Sequence, residues 1–433
     1  MNQHQDDDCQ GCPEYRELSR RGFLAVAGAG VAVAAAAPAW LPRVALAKDY
    51  RSAQKDVIVS IYLRGAADGL SLVPPFGEAA YYTNRPNIGV PPPDSGQPLK
   101  AINLNGFFGL APALGGLREA YEAGNLLVVH ACGSTDGSRS HFDAQRFMEV
   151  GKANDPTLGT GWLGRHLVNT APKDPNALLR AVGISTGLPR TLVGGPLTLP
   201  IPDLDNFGLT GSGSTTTARM AALNDMYGTI TDPLKSAGLN TVATINLLNT
   251  INFATYQPSG GAAYPAGSLG TALKTSAALI KAQVGVEAIA IDVGGWDTHA
   301  NQGVLTGTMA TIMQSLGDGM GAFHRDLSAG NAPSTILVAM SEFGRRVAEN
   351  GSLGTDHGHG NVMFVLGPAA QGGRVLSQWP GLGAGQLYQN LDLKVTIDYR
   401  DVLSEICSKR LGTPDLASVF PGYTPIFRNA VSA

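Results

Sequence analysis

Charge is scarce in this chain. Asp, Glu, Lys and Arg make up 15% of its 433 residues, against about 25% in an ordinary globular protein. The signs nearly cancel, with 31 basic and 34 acidic side chains and a net charge of −3. No basic stripe is present, so nucleic acid is excluded as an expected partner. Cysteine is rare as well, four in all, which excludes a disulfide-built scaffold. No apolar run reaches the roughly 20 residues that a membrane-spanning helix needs. No Gly-x-Gly-x-x-Gly follows the first apolar strand, which disfavours a dinucleotide enzyme. Glycine is plentiful at 55, and a compact, loop-rich chain is expected.

The N-terminus carries the sharpest signal. Ser19-Arg20-Arg21-Gly22-Phe23-Leu24 places two arginines before a weakly apolar stretch, 24–37, built of Ala, Val and Gly. Pro38 and Pro42 break that stretch, and Ala45-Leu46-Ala47 closes it with small residues. This pattern reads as a twin-arginine export signal over 1–47, cut after Ala47. The expected partner is the twin-arginine translocase, and the expected location is periplasmic or secreted. A membrane anchor is the competing reading, but the stretch is short and its Ala and Gly contribute little to insertion. No stable membrane span is expected in the mature form. Cys9 and Cys12 fall inside the leader. Cys132 and Cys407 survive cleavage, either as buried thiols or as a disulfide that an oxidising compartment permits; nothing in the sequence pairs them.

From residue 48 onward the chain alternates short apolar strands with helical patterns. Val57-Ile58-Val59-Ser60-Ile61-Tyr62-Leu63 reads as a buried strand, and 126–132, 288–293, 336–340 and 362–366 read likewise. Helical periodicity is expected over 114–123, 309–327 and 399–411. The expected class is therefore α/β, with a mostly parallel sheet covered on both faces. The stretch 188–285 is richer in Gly, Ser, Thr and Pro, with helical patterns at 218–227, 240–251 and 269–284. It reads as an insertion or cap, or as ordinary connecting helices. Ligands of such sheets bind beyond the carboxyl ends of the strands, and the polar candidates lie there.

Gly294-Gly295-Trp296-Asp297-Thr298-His299 offers Asp297 and His299 two residues apart, able to address one metal ion. Alone, it reads equally as a glycine turn with Asp297 capping a helix. Gly354-Thr355-Asp356-His357-Gly358-His359-Gly360 adds Asp356, His357 and His359 between glycines. Together the two segments favour a divalent metal: zinc, manganese or calcium. Glu342 and Arg345 follow the 336–340 strand. Glu342 suits a ligand or general base, and Arg345 suits an oxyanion clamp through its planar fork; a structural Glu–Arg pair is the alternative. Ser138-Arg139-Ser140-His141-Phe142-Asp143 enters a helix, where backbone N–H groups favour an anion. Ser140 and Asp143 also resemble a capping box.

These segments, with Leu63-Arg64-Gly65-Ala66-Ala67-Asp68-Gly69-Leu70-Ser71 and Asp398-Tyr399-Arg400, resemble the signature segments of the exported bacterial family called domain of unknown function 1501. The resemblance runs in matching order along nearly all of 48–433. That family is grouped with the alkaline-phosphatase-like superfamily of sulfatases and phosphatases. It implies a three-layer α/β/α sandwich and hydrolysis or transfer of a small anionic phosphate or sulfate ester at one or two metals. It also implies a Ser nucleophile at a helix N-terminus, which Ser140 matches, with Ser138 in reserve. Asp68 arrives several residues after the strand where the superfamily has an Asp directly. Ser341-Glu342 stands where members often carry Asp-His.

The expectation is an exported metal-dependent ester hydrolase. Asp297, His299, His357 and His359 form its metal core, with Asp68, Glu342 and Asp356 as further ligands or supports. The alternative is a non-catalytic envelope protein that keeps the fold for binding or assembly. The export reading has a direct test. Replacing both Arg20 and Arg21 by Lys should leave uncut precursor in the cytoplasm, read by immunoblotting of cell fractions. Normal secretion of the double variant would exclude the twin-arginine route.

Overall fold

The computed structural model describes residues 55–209, 211–330 and 332–433. The paired arginines, the apolar stretch and the cleavage site after Ala47 lie outside the described residues. Val57–Leu63 (β1) is buried at every position near the middle of a nine-stranded sheet. The other strands are Leu126–Gly133 (β2), Ala181–Ile184 (β3), Thr198–Pro200 (β4), Ala288–Val293 (β5), Thr335–Met340 (β6), Asn361–Leu366 (β7), Arg374–Leu376 (β8) and Ile397–Asp398 (β9). Across the sheet the order is β8–β2–β7–β6–β1–β5–β3–β4, with β9 also paired to β2.

The pairing is parallel at β1 with β5 and β6, at β3 with β4 and β5, and at β2 with β8 and β9. β7 is the exception, antiparallel to both β2 and β6. Its composition resembles that of its neighbours, because a strand buried on both faces is apolar whichever way it runs. Its direction matters for function. The 341–360 connection leaves the carboxyl end of β6 and enters the amino end of β7, so it stays at one edge of the sheet. The segments following β1, β2 and β5 emerge at that same edge.

Side chains alternate across the sheet with a period of two. Seven helices matter to the packing: His141–Val150 (α1), Trp162–Val168 (α2), Thr216–Thr229 (α3), Leu234–Leu248 (α4), Ser268–Lys281 (α5), Thr308–Ser328 (α6) and Tyr399–Lys409 (α7). Val57, Val59, Ile61 and Leu63 pack with Leu273 of α5 and with Met313, Leu316 and Met320 of α6. Ile58 and Tyr62 face the other way, toward Trp162 and Leu163 of α2 and Val402, Leu403 and Ile406 of α7. Each fully buried Leu, Ile or Val stabilises the fold by about 1.5–3 kcal/mol, so both helical layers are fixed to the sheet by ordinary burial.

The 188–285 stretch does not form one unit. Its start supplies β4 at the sheet edge, and α5 belongs to the main core. Helices α3 and α4 share a small cluster of their own around Met220, Val242 and Ile245. The apolar stripe of α5 decides this, since ten of its fourteen residues are buried. Among the described residues, no helix is long and apolar enough to cross a membrane.

Cys132 lies on β2 and Cys407 on α7, both buried and both free. Burial pushes both thiols up, Cys407 to about 12. A buried thiol held in its neutral form is a poor nucleophile. The native mature protein should therefore resist thiol-specific reagents at pH 8, while the denatured protein should titrate as two thiols by alkylation and mass spectrometry. A crosslinked peptide joining them would contradict this.

Candidate metal centre

The sheet edge gathers four segments through very close backbone approaches. The turn after β1 passes against the segment after β5, and a Cβ on Gly65 would stand 2.6 Å from the amide nitrogen of Asp297. Gly65 also has φ of +114°, a conformation open to glycine. Across the site, a Cβ on Gly354 would stand 2.3 Å from the carbonyl oxygen of His299. The glycines flanking Asp356 and His357 thus let one loop lie directly on the next.

Asp297 sits at the convergence. Its Oδ1 lies 3.0 Å from His299 Nε2 and 3.1 Å from His357 Nε2, and its Oδ2 lies 3.6 Å from His141 Nε2. The His299 and His357 Nε2 atoms are 3.0 Å apart. His141, Asp297 and His357 each offer a ligand atom within 4.8 Å of the others. With zinc–nitrogen bonds of about 2.0–2.1 Å, tetrahedral ligand atoms stand about 3.3 Å apart, which matches these spacings.

The outer nitrogens explain the direction of the inner ones. His141 Nδ1 is 2.7 Å from Glu342 Oε1. His357 Nδ1 is 3.0 Å from the carbonyl oxygen of Arg139. His299 Nδ1 faces Asp356 Oδ1 at 3.7 Å. Acceptors beside the outer nitrogens favour a proton there, so the inward Nε2 atoms are the ones an ion would bind, displacing any proton they carry. His141 Nε2 is buried and its nearest partner is Asp297 Oδ2, beyond ordinary hydrogen-bond length.

Electrostatics concentrate on the same point. Burial disfavours the charged form of His141, yet Asp297 and Glu342 outweigh it and raise the imidazole to about 9. Burial also opposes ionisation of Asp297, but the three imidazoles and Arg345 hold its carboxyl far below the usual range. Glu342 behaves alike: burial raises it, while His141 and Gln145 bring it below its ordinary value.

Several expected site residues have other work. Asp68 is fully buried, bidentate to Arg85 at 2.5 and 3.0 Å, and it also accepts from Ser71 and Gln302. It is committed to a structural ion pair and stands outside the cluster. His359 stacks on Tyr388 at 4.3 Å, and burial lowers it to about 4; it is not among the converging imidazoles. Arg345 is completely buried, and its guanidinium donates to the carbonyls of Gly65, Ala66, Trp296 and Thr355 and to Asp297 Oδ1. It has no free edge for an oxyanion. Glu342 accepts from Gly65 N, His141, Gln145 and Ser341, a set that places it to orient His141. Asp356 stays half-exposed, paired with Arg346 at 3.3 Å.

Ser140 is the N-cap of α1, and its side chain makes no capping bond. The expected capping box with Asp143 does not form, and among the described residues the Ser140 hydroxyl makes no hydrogen bond. Ser138 instead accepts from the Ser140 amide at 3.1 Å. Gly183-Ile184-Ser185-Thr186-Gly187 spells a Gly-x-Ser-x-Gly, but no α-helix begins at Ser185, only a short 3-10 turn at Arg190–Leu192, and Ser185 donates to the Gly187 carbonyl. It is not a nucleophile elbow. The converging imidazole that sequence reasoning missed is His141. Its signal was available, since Ser140-His141-Phe142 stands at the same strand edge as the other histidines.

The role of Asp68 is testable. Removing one partner of a buried ion pair leaves an uncompensated charge and costs about 3–5 kcal/mol. Asp68→Asn should lower stability by about that amount in urea denaturation. A loss below about 1 kcal/mol would show that the pair is not holding the 68–85 segment.

A search of the curated proteins finds no match. Over residues 54–413 the chain matches the model of the family described as "Protein of unknown function (DUF1501)", and it belongs to that family.

Proposed function

We propose that this chain is an exported, metal-dependent hydrolase of small phosphate or sulfate esters, with the sandwich architecture of the alkaline-phosphatase-like superfamily. One observation carries the metal reading: three imidazoles turn their Nε2 atoms toward Asp297 while acceptors hold the outer nitrogens of His141 and His357. His141, Asp297, His299 and His357 would hold the ion. An imidazole-rich donor set suits zinc or iron and disfavours calcium, which takes oxygen ligands. When bound, a divalent ion supplies Lewis acidity toward the ester oxygens and lowers the pKa of a nearby hydroxyl.

The protein's own groups do the rest. Ser140 presents an uncommitted hydroxyl one residue from His141 and serves as nucleophile. The first amides of α1 point outward at a positive helix end, which favours an anionic group there. Glu342 fixes His141, and Arg345 fixes Asp297. The burial of Arg345 is also the observation that favours a second reading, a non-catalytic binding protein, because no arginine fork is left for an oxyanion. The leader supports export by the twin-arginine pathway in either case.

Metal analysis of purified mature protein separates the readings. The wild type should carry close to one equivalent of a transition metal. His141→Ala, His299→Ala and His357→Ala should each lose most of it while staying folded, and a double variant should lose little more, since the residues share one ion. Ser140→Ala should keep the metal and lose at least about 100-fold of nitrophenyl phosphate or sulfate hydrolysis. A wild type with no stoichiometric metal after growth with zinc, manganese, iron and calcium would exclude the hydrolase. Metal without ester hydrolysis would favour the binding protein.

A further inference from the structure

We propose that Arg139 and Asp392 form a tether that presents His357 to the metal centre, making both of them positioning residues for it. The inference rests on the metal reading above and concerns how one ligand is aimed. His357 lies on a glycine-flanked loop, and nothing in that loop's composition fixes the rotation of the imidazole. The fixing contact comes from elsewhere. The carbonyl oxygen of Arg139 stands 3.0 Å from His357 Nδ1. A carbonyl can only accept, so Nδ1 carries a proton, which leaves Nε2 as the nitrogen that can bind an ion. That Nε2 is the atom 3.1 Å from Asp297 and 3.0 Å from His299 Nε2.

The carbonyl is useful only if it cannot wander. Arg139 lies between β2 and α1, and its side chain reaches across to Asp392, with Nε 3.1 Å from Asp392 Oδ2 and a second bond from the guanidinium to the same oxygen. It also donates to Gln389 Oε1 at 2.9 Å. Asp392 is itself held from both sides. Its side chain is fully buried, and its backbone exchanges two hydrogen bonds with Tyr388, at 2.8 and 3.0 Å. A rigid turn therefore holds a carboxylate, the carboxylate holds Arg139, and the Arg139 peptide holds His357. Ser140 and His141 directly follow Arg139, so the same anchor places a ligand and the nucleophile candidate in one frame. Groups that orient metal-bound histidines typically govern 10–100-fold in metal affinity.

Two measurements on the mature protein test the tether. Zinc dissociation constants can be read by competition with a chromogenic chelator. Asp392→Asn and Arg139→Ala should each weaken zinc binding by about 10–100-fold, the double variant should be no weaker than the worse single, and Arg139→Lys should recover part of the loss. Independently, long-range proton–nitrogen NMR of chelator-stripped protein should show His357 as the Nδ1–H tautomer in the wild type and a changed signature in Arg139→Ala. A merely structural pair would lower the unfolding midpoint and leave that tautomer unmoved. Zinc affinities within about threefold of the wild type in both single variants, or an Nε2–H tautomer for His357 in the wild type, would overturn the proposal. A wild type that binds no zinc at all would instead sink the metal reading on which it rests.

Discussion

Everything at the sheet edge is arranged around one partly buried negative charge and the buried guanidinium that answers it. A carboxylate partly withdrawn from water is stabilised by nearby positive charge and donors, and Asp297 receives both from Arg345 at 2.7 Å and from the surrounding imidazoles. Arg345 is equally constrained, because a buried guanidinium must satisfy its donors. It does so on the carbonyls of Gly65, Ala66, Trp296 and Thr355. Those four carbonyls belong to three different segments. The ion pair is therefore also the staple that brings the turn after β1, the segment after β5 and the 341–360 connection together. The histidines can converge because this staple has already fixed the backbones that carry them.

The antiparallel course of β7 is the second requirement. Had β7 run parallel to β6, its connection would have crossed to the opposite edge, taking Asp356 and His357 away from Asp297. The hydrogen bonding of the 341–360 connection back on itself, with Gly344 N to His359 O at 2.9 Å and Gly358 N to Gly344 O at 2.8 Å, makes it a rigid shelf. Mobility there would be costly, since outer-shell geometry sets how well a ligand is aimed.

The strands and helices were largely legible in the sequence, because continuous apolar runs such as 57–63 and periodic ones such as 309–327 leave few alternatives. The clustering of Asp297, His299 and His357 was legible too, since all three follow strand ends. Direction was not. The 362–366 run is apolar on both faces and carries no mark of its antiparallel pairing. Partnership was not legible either. Asp68 after a strand looks the same whether it meets a metal ion or Arg85 seventeen residues on, and only burial with Arg85 decides it. Arg345 looks like a clamp until four carbonyls are found around it. His141 was overshadowed by Ser140, and the acceptors that reveal its place, Glu342 and Asp297, lie far along the chain, Glu342 201 residues away.

The spread of these partners along the chain bears on when the site can exist. Its contacts join residues near 65, 140, 297, 345, 357 and 392, so no local segment holds two imidazoles in the observed arrangement. Contacts of such sequence separation form late, once the sheet is assembled. A chain threaded unfolded through a membrane would have to assemble this centre, and acquire any ion, on the far side. A twin-arginine leader would instead carry the chain already folded, with the staple of Asp297 and Arg345 closed and the histidines aimed. In that reading the leader and the metal centre explain each other: a site built from so many distant segments gains most from a route that lets it be completed, and its ion selected, before the protein leaves the cytoplasm.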